Sequence, residues 1–295
     1  MGAEEFELPD YPQESVLEKG RRWFRASRYE LALDEGVPVV RPVAGAIFEW
    51  YDPWQPEPPA KQPHGPEDHR WSPHTHLAHL NPESEEEALE FYNRWGPLGL
   101  WTLPTYRDRR PLTAEGVPAP GRPMGEGLLA LAIAGWFRPP DAGRNALAHQ
   151  EPLEFFQDAA REYQRLLKAQ EEAKTDPDAA TRFAWEAERM LTDCHPLLWS
   201  PWRQESGRWV KGERWTLAWS FPSLLSLCYL RTVLDLVQGG LGFRQCANRR
   251  CGRFFLPTNP KQEFCSLTCQ VAERVRRCRE RKKAQPLPWG GPTGW

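Results

Sequence analysis

Two short-spaced cysteine pairs followed by an arginine-loaded segment constrain this chain more than any other feature. In Phe243 to Lys283, FRQCANRRCGRFFLPTNPKQEFCSLTCQVAERVRRCRERKK, Cys246 and Cys251 enclose four residues, Cys265 and Cys269 enclose three, and thirteen separate the pairs. Four thiolates delivered as two pairs on separate knuckles satisfy the tetrahedral preference of zinc, and both gaps fall in the usual range. The spacing therefore predicts one structural Zn2+ held by Cys246, Cys251, Cys265 and Cys269. Two disulfides are the alternative reading. Four thiolates leave no coordination position for water, which argues against a catalytic ion there.

Around the ligands, the residue types predict a loop, a hairpin and then a helix. Asn248 and Gly252 tolerate the left-handed turns of a tight knuckle, and Phe254-Phe255 reads as a short strand covering one side of the ion. Ser266 is an N-cap candidate, which sets Cys269 in the first turn of the next helix. The result is a treble-clef-like finger. In its helix, Val271, Val275 and Cys278 form a stripe suited to packing on the knuckle, while Arg274, Arg276, Arg277, Arg279, Arg281, Lys282 and Lys283 wrap the rest. Arg249, Arg250 and Arg253 add cations on the knuckle.

The charge distribution sharpens that picture. Residues 244–283 hold 12 Lys and Arg against 3 Asp and Glu, a local +9, which leaves a net −11 for the rest of a chain whose total is −2. A cationic helix rich in arginine, the side chain suited to bidentate phosphate contact, predicts a nucleic-acid partner, with DNA and RNA both open on charge alone. The same imbalance allows the basic tip to meet the acidic body.

The motif resembles the C-terminal zinc finger of the bacterial CGNR group, Cys…Cys-Gly-x-Phe…Cys-Ser…Cys followed by an Arg-rich helix. The matching positions are Cys246, Cys251, Gly252, Phe254, Cys265, Ser266 and Cys269, within about 40 of the 295 residues. The first gap is longer than in that pattern, and Gln270-Val271-Ala272 follows Cys269. The resemblance implies a zinc-dependent DNA-binding tail on a ligand- or partner-sensing body, as expected of a stress-linked transcriptional regulator.

For the remainder, the fold class expected is α+β: a mostly helical body with a few short strands in residues 1–239, the finger in 240–283, and a Pro/Gly tail in 284–295. The 15 Trp supply abundant burial, so the 30 Pro imply long stiffened connections rather than general disorder. Helices are expected over Asn81–Trp95, capped by Ser84 or Asn81 and striped with apolar residues, and over Pro152–Ala173, with a stripe of Leu153, Phe156, Ala160, Tyr163 and Leu167. Two more are expected over Asp178–Asp193, after the Asp176-Pro177 start signal, and over Pro222–Gln238, a core helix ended by Gly239-Gly240. The apolar run Gly127–Phe137 reads as a buried helix too short to span a bilayer. Short proline-broken strands are expected at Val37–Val40 and Ala46–Phe48, at edges or turns. A hairpin is expected around Lys211-Gly212-Glu213, and an exposed proline-rich loop over Tyr51–Pro73. The acidic amino terminus has no apolar run and the thiols are odd in number, which points to a reducing cytoplasm.

Three further constellations bear on function. Five of the seven histidines, His64, His69, His74, His76 and His79, fall within sixteen residues. His74, His76 and His79 with Asp68 or Glu67 can be read as a second metal site of a hydrolase, or as ordinary polar loop histidines. Trp199, Trp202, Trp209, Trp215 and Trp219 interleave with Arg203, Arg208, Lys211 and Arg214, a pattern compatible with base stacking but more often a core face with solvated neighbours. Cys194-His195 with Asp193 can be read as a thiol nucleophile, but its place where a helix meets Pro196 favours a buried, inert cysteine. Neither a phosphate-cradling glycine loop nor a serine-nucleophile elbow occurs. The sequence therefore favours a non-enzymatic nucleic-acid-binding regulator. An assembly subunit docking a protein through its zinc module is the alternative, and a metal-dependent hydrolase built on the histidine segment the third.

Overall fold

In the computed structural model, the described residues are 23–51, 53, 72–100, 103, 115, 150–192, 194–199, 202–205, 208–211 and 216–284. Along the chain the elements are β1 (Trp23–Ala26), β2 (Tyr29–Asp34), β3 (Val37–Pro42), β4 (Phe48–Tyr51), α1 (Pro73–His79) and α2 (Glu85–Trp95). They continue with β5 (Glu151–Pro152), α3 (Leu153–Glu172), α4 (Pro177–Leu191), β6 (His195–Trp199), β7 (Trp202–Glu205), β8 (Arg208–Lys211) and β9 (Thr216–Ser220). The last are α5 (Leu224–Val237), β10 (Arg244–Gln245), β11 (Phe254–Phe255) and α6 (Leu267–Ala284). The architecture is α+β, mostly helical, with short antiparallel strands and a C-terminal group of four cysteines.

The helices start where local chemistry supplies a cap. Ser84 accepts from the Glu87 N–H at 3.2 Å, and Glu85, Glu86 and Glu87 sit at the positive end of the α2 dipole. Asp176 caps α4 through the Asp178 N–H at 2.9 Å, with Pro177 in the first turn. Ser223 caps α5 through the Ser226 N–H at 2.9 Å. Helix α3 buries the expected stripe of Leu153, Phe156, Ala160, Tyr163 and Leu167. Every residue of α5 from Leu224 to Leu230 is buried, so this helix runs through the middle of the fold.

The histidine segment departs from expectation. Instead of a polar loop, Pro73–His79 forms α1, whose residues Pro73 to Ala78 are all buried, and α1 packs against α5, α3, α2 and β11. Pro73 at the first helical position and Ser72 just before it, whose N–H donates to Thr75 Oγ1, are the start signals. The strands also differ in detail. Val37–Pro42 is the central strand of the sheet β2-β3-β5, and its prolines flank Val39 and Val40, the two residues that β5 pairs with. Arg208–Lys211 pairs back with Trp202–Glu205, while Thr216–Ser220 pairs with His195–Trp199. The strands on either side of the expected hairpin at Lys211-Gly212-Glu213, Arg208–Lys211 and Thr216–Ser220, are therefore not paired with each other, and residues 212–215 lie outside the described residues. The two-residue gap between Glu205 and Arg208 makes the inner pairing the more local one. The expected helix Gly127–Phe137, the loop 54–71 with His64 and His69, and the tail 285–295 lie outside the described residues.

The main apolar core joins β1–β3 and the helices α1 to α5, and it includes Phe243 and Phe254 from the two sides of the first knuckle. Glu151 is fully buried within it and accepts from Tyr92 Oη at 2.6 Å, the Leu98 N–H at 2.9 Å and the Leu100 N–H at 2.8 Å, pinning the turn after α2 to β5. Among the described residues, no helix is long and apolar enough to cross a membrane.

Candidate metal centre

Beyond α5 the chain turns through Gly239 and enters the antiparallel pair β10–β11, in which Arg244 faces Phe255 and Gln245 faces Phe254. The first knuckle connects these two strands. Cys246 N–H donates to the Arg253 carbonyl at 2.8 Å and Cys251 N–H to the Asn248 carbonyl at 2.8 Å, closing the loop on itself. Gly252 takes the left-handed φ of +63° that ends the knuckle. Asn248 does not share that conformation. It is buried, and its Oδ1 accepts from the Arg250 N–H at 3.2 Å, an Asx turn that shapes the loop with ordinary backbone angles. Ser266 Oγ accepts from the Cys269 N–H at 3.2 Å, so Cys269 lies in the first turn of α6 as its spacing predicted.

This framework brings the four sulfurs of Cys246, Cys251, Cys265 and Cys269 within 4.8 Å of one another. Cys251 Sγ is 3.7 Å from Cys265 Sγ, which is 3.5 Å from Cys269 Sγ, and all seven cysteines are free thiols. A tetrahedral ion with metal–sulfur bonds of about 2.3 Å requires sulfur–sulfur edges of about 3.8 Å. The donor set and its spacing thus fit one metal ion, with Phe255 and Phe264 packed against the ligands.

Burial and hydrogen bonds to sulfur shift the thiols in opposite directions, and Cys251 alone of the shifted ones is moved towards its ionised form. The Cys265 thiol donates to Cys251, which lowers the Cys251 pKa to about 5, and the Arg253 N–H also points at that sulfur. Burial raises the Cys246 pKa, while backbone N–H groups of Cys265 and Asn248 act against that rise. Cys265, hydrogen-bonded to a neighbour that ionises first, is pushed up. A bound dication would take all four as thiolates, releasing the remaining protons.

Helix α6 carries the cations in two populations. Glu273 binds Arg276, with Nε to Oε2 at 2.8 Å, and Arg277, at 3.0 Å; Arg276 also reaches Glu280. The hydrogen bond from Arg276, with help from Arg277, holds Glu273 down at about 2. Arg274, Arg279, Arg281, Lys282 and Lys283 are exposed, as are Arg249 and Arg250 on the knuckle, and no acidic partner is recorded for them among the described residues. Arg253 is turned inward, to Glu87 of α2 at 2.6 Å.

The apolar stripe of α6 does not pack on the knuckle. Leu267, Val271 and Val275 are 60%, 50% and 42% exposed, and Cys278 is exposed as well. Because Cys269 faces the other ligands, residues two, six and nine positions later lie about 120–180° around the helix from it. Geometry at the ligand overrides the pattern.

The histidines found separate partners. His74 Nε2 lies 3.0 Å from Asp235 Oδ2 and its Nδ1 2.7 Å from Ser72 Oγ; burial lowers its pKa, a shift that Asp235 opposes. His76 Nδ1 accepts from Trp95 Nε1 at 3.0 Å, and His79 Nδ1 donates to the Phe254 carbonyl at 3.1 Å. Three imidazoles pointed at three elements do not converge, and among the described residues the four cysteines are the only group placed to hold a metal. Cys194 packs partly buried against the core. Trp199 to Trp215 and the basic residues between them have side chains outside the described set.

The seam between knuckle and body is a contact of basic tip with acidic body, which the charge imbalance allowed without indicating its residues. It consists of Arg253–Glu87, the Gln245 N–H to Glu171 Oε2 at 3.0 Å, and His79 on Phe254. The only prior signal for it was the opposite charge of tip and body. The chain matches no family model, and no curated protein matches it.

Proposed function

We propose that this chain is a cytoplasmic zinc-stabilised DNA-binding protein that acts in transcriptional regulation, related in its finger to the CGNR group. The observation that carries the reading is the exposed cationic face of α6, joined to Arg249 and Arg250 on a knuckle fixed by four cysteines. Soft thiolates in a tetrahedron select zinc among common cellular ions. Its role is structural, since the small second core of Phe255 and Phe264 would not hold the knuckle without it.

The test has two parts. Protein purified from rich medium should contain one zinc per chain, and Cys265→Ser should lose it. Binding to duplex DNA should weaken steeply with salt, with a log–log slope of about −5 if about six phosphates are neutralised. Arg274→Ala with Arg279→Ala should flatten that slope by about 2. A flat salt titration of the zinc-loaded protein removes the nucleic-acid reading.

A second reading has its own support. The exposed Leu267, Val271 and Val275 stripe, flanked by arginines, suits a protein partner with an acidic, half-apolar face, as in a docking subunit of a larger assembly. A stoichiometric complex that survives high salt and is lost in Val271→Asp would select it over DNA.

A further inference from the structure

A polar cleft of about 550 Å³ opens along the seam between the body and the first knuckle. Its body wall is Leu80, Asn81, Pro82 and Gln164; its finger wall is Asn248, the run Arg250 to Arg253, and Cys269. The volume is that of small-molecule sites, and the cleft lies where two packed units meet, a common place for them.

The hydrogen-bond inventory of the walls fixes the chemistry. Asn81 Oδ1 is taken by the Glu83 N–H and Asn248 Oδ1 by the Arg250 N–H, so each amide has its NH2 donors left over. Glu87 receives the Asn81 N–H on one oxygen and a single Arg253 nitrogen on the other, which leaves most of that guanidinium's fork in reserve. Arg250 is exposed and has no recorded acidic partner among the described residues. Gly252 presents bare backbone, and a Cβ there would meet nothing nearer than Gln245 Nε2 at 3.9 Å. Arg250, Arg253 and the two asparagine amides put donors on both walls, Gln164 has its Nε2 taken by the Leu80 carbonyl and keeps its Oε1 as an acceptor, and Leu80 and Pro82 form an apolar floor.

We propose that this cleft binds a small phosphorylated metabolite, its phosphate held by Arg250 and Arg253 and its body by Asn81, Asn248 and the Leu80–Pro82 wall. A dication ringed by four thiolates carries two negative charges, which Arg249 and Arg250 on the same knuckle offset, while Arg253 is shared with Glu87. Such a ligand touches both walls at once, so its occupancy strengthens the docking of finger on body. The cleft shares Arg250 with the proposed DNA surface but none of the α6 cations, so a variant on the body wall, Asn81→Asp, tells the two apart.

The experiment uses the full zinc-loaded chain, followed by amide NMR at Asn81 and Asn248 while inorganic phosphate, adenosine monophosphate and a short DNA duplex are each added. Saturable shifts with both phosphate and the nucleotide, competing for one site, are expected. Asn81→Asp keeps the oxygen that accepts from Glu83 while replacing the NH2 with negative charge, and Arg250→Ala removes the main cation. Each should weaken nucleotide binding at least tenfold with zinc content unchanged, and Asn81→Asp should leave any salt-dependent DNA binding as it was. Shifts with the duplex alone would make the cleft part of a nucleic-acid path and overturn the proposal. So would equal nucleotide affinity in Asn81→Asp, or the absence of saturation with phosphate and nucleotide.

Discussion

Glu151 shows how one buried charge is made tolerable. Desolvation raises its pKa, yet Tyr92 Oη and the Leu98, Gly99 and Leu100 N–H groups all donate to it. Glu151→Gln would set an NH2 against some of these donors and should destabilise the chain by about 2 kcal/mol or more in urea unfolding. His74 is the converse case, a side chain buried neutral between Ser72 and Asp235, with Arg231 also acting against its charged form. Its folded pKa lies below the ordinary value near 6.5, so the unfolded chain binds more protons as the pH falls through that value. Stability contributed by His74 is therefore present above pH 6.5 and lost below it. The urea midpoint should fall between pH 7.5 and 5.5, and His74→Gln should show a shallower fall.

Within the elements, two glycines with similar backbone angles make different demands. At Gly99, with φ +76°, a Cβ would lie 2.7 Å from Trp23 Cη2, and Trp23 is itself anchored by Nε1 on the Pro97 carbonyl at 2.8 Å. At Gly252 the space is open and only the left-handed angle resists. Gly252→Ala should cost about 1–2 kcal/mol, and Gly99→Ala should exceed it, both measured by denaturant unfolding of zinc-loaded protein. The helices that were legible in the sequence are those whose signals are local: Ser84 and Asp176 cap within a turn, Gly239-Gly240 ends α5, and the α3 stripe repeats along its own length. Helix α1 was hidden because its histidines look polar until Trp95, Asp235 and Phe254 provide partners from elsewhere. The metal ligands were legible for the same reason as the caps, since each pair is a short-range pattern. The inward turn of Arg253 was not, because Glu87 lies 166 residues away.

At the scale of the whole molecule, Phe243 and Phe254 belong to the body's core while Cys246 and Cys251, three residues away along the chain, belong to the cysteine cluster. Each buried phenylalanine contributes about 1.5–3 kcal/mol to holding the two together. Removing zinc with a chelator should therefore lower the thermal midpoint of the whole described fold in one transition, seen alike by tryptophan fluorescence and by far-ultraviolet dichroism. A separate early transition confined to the helix signal would show that the finger melts alone. The seam has a thermodynamic consequence that runs in both directions. If the docked finger holds its metal more tightly than a loosened one, anything that strengthens the body at His79 or Glu87 raises metal affinity by the same factor that metal strengthens the body. The finger of this protein is thus no interchangeable cassette: grafted elsewhere, Phe243–Lys283 would take its ligands but leave its affinity behind.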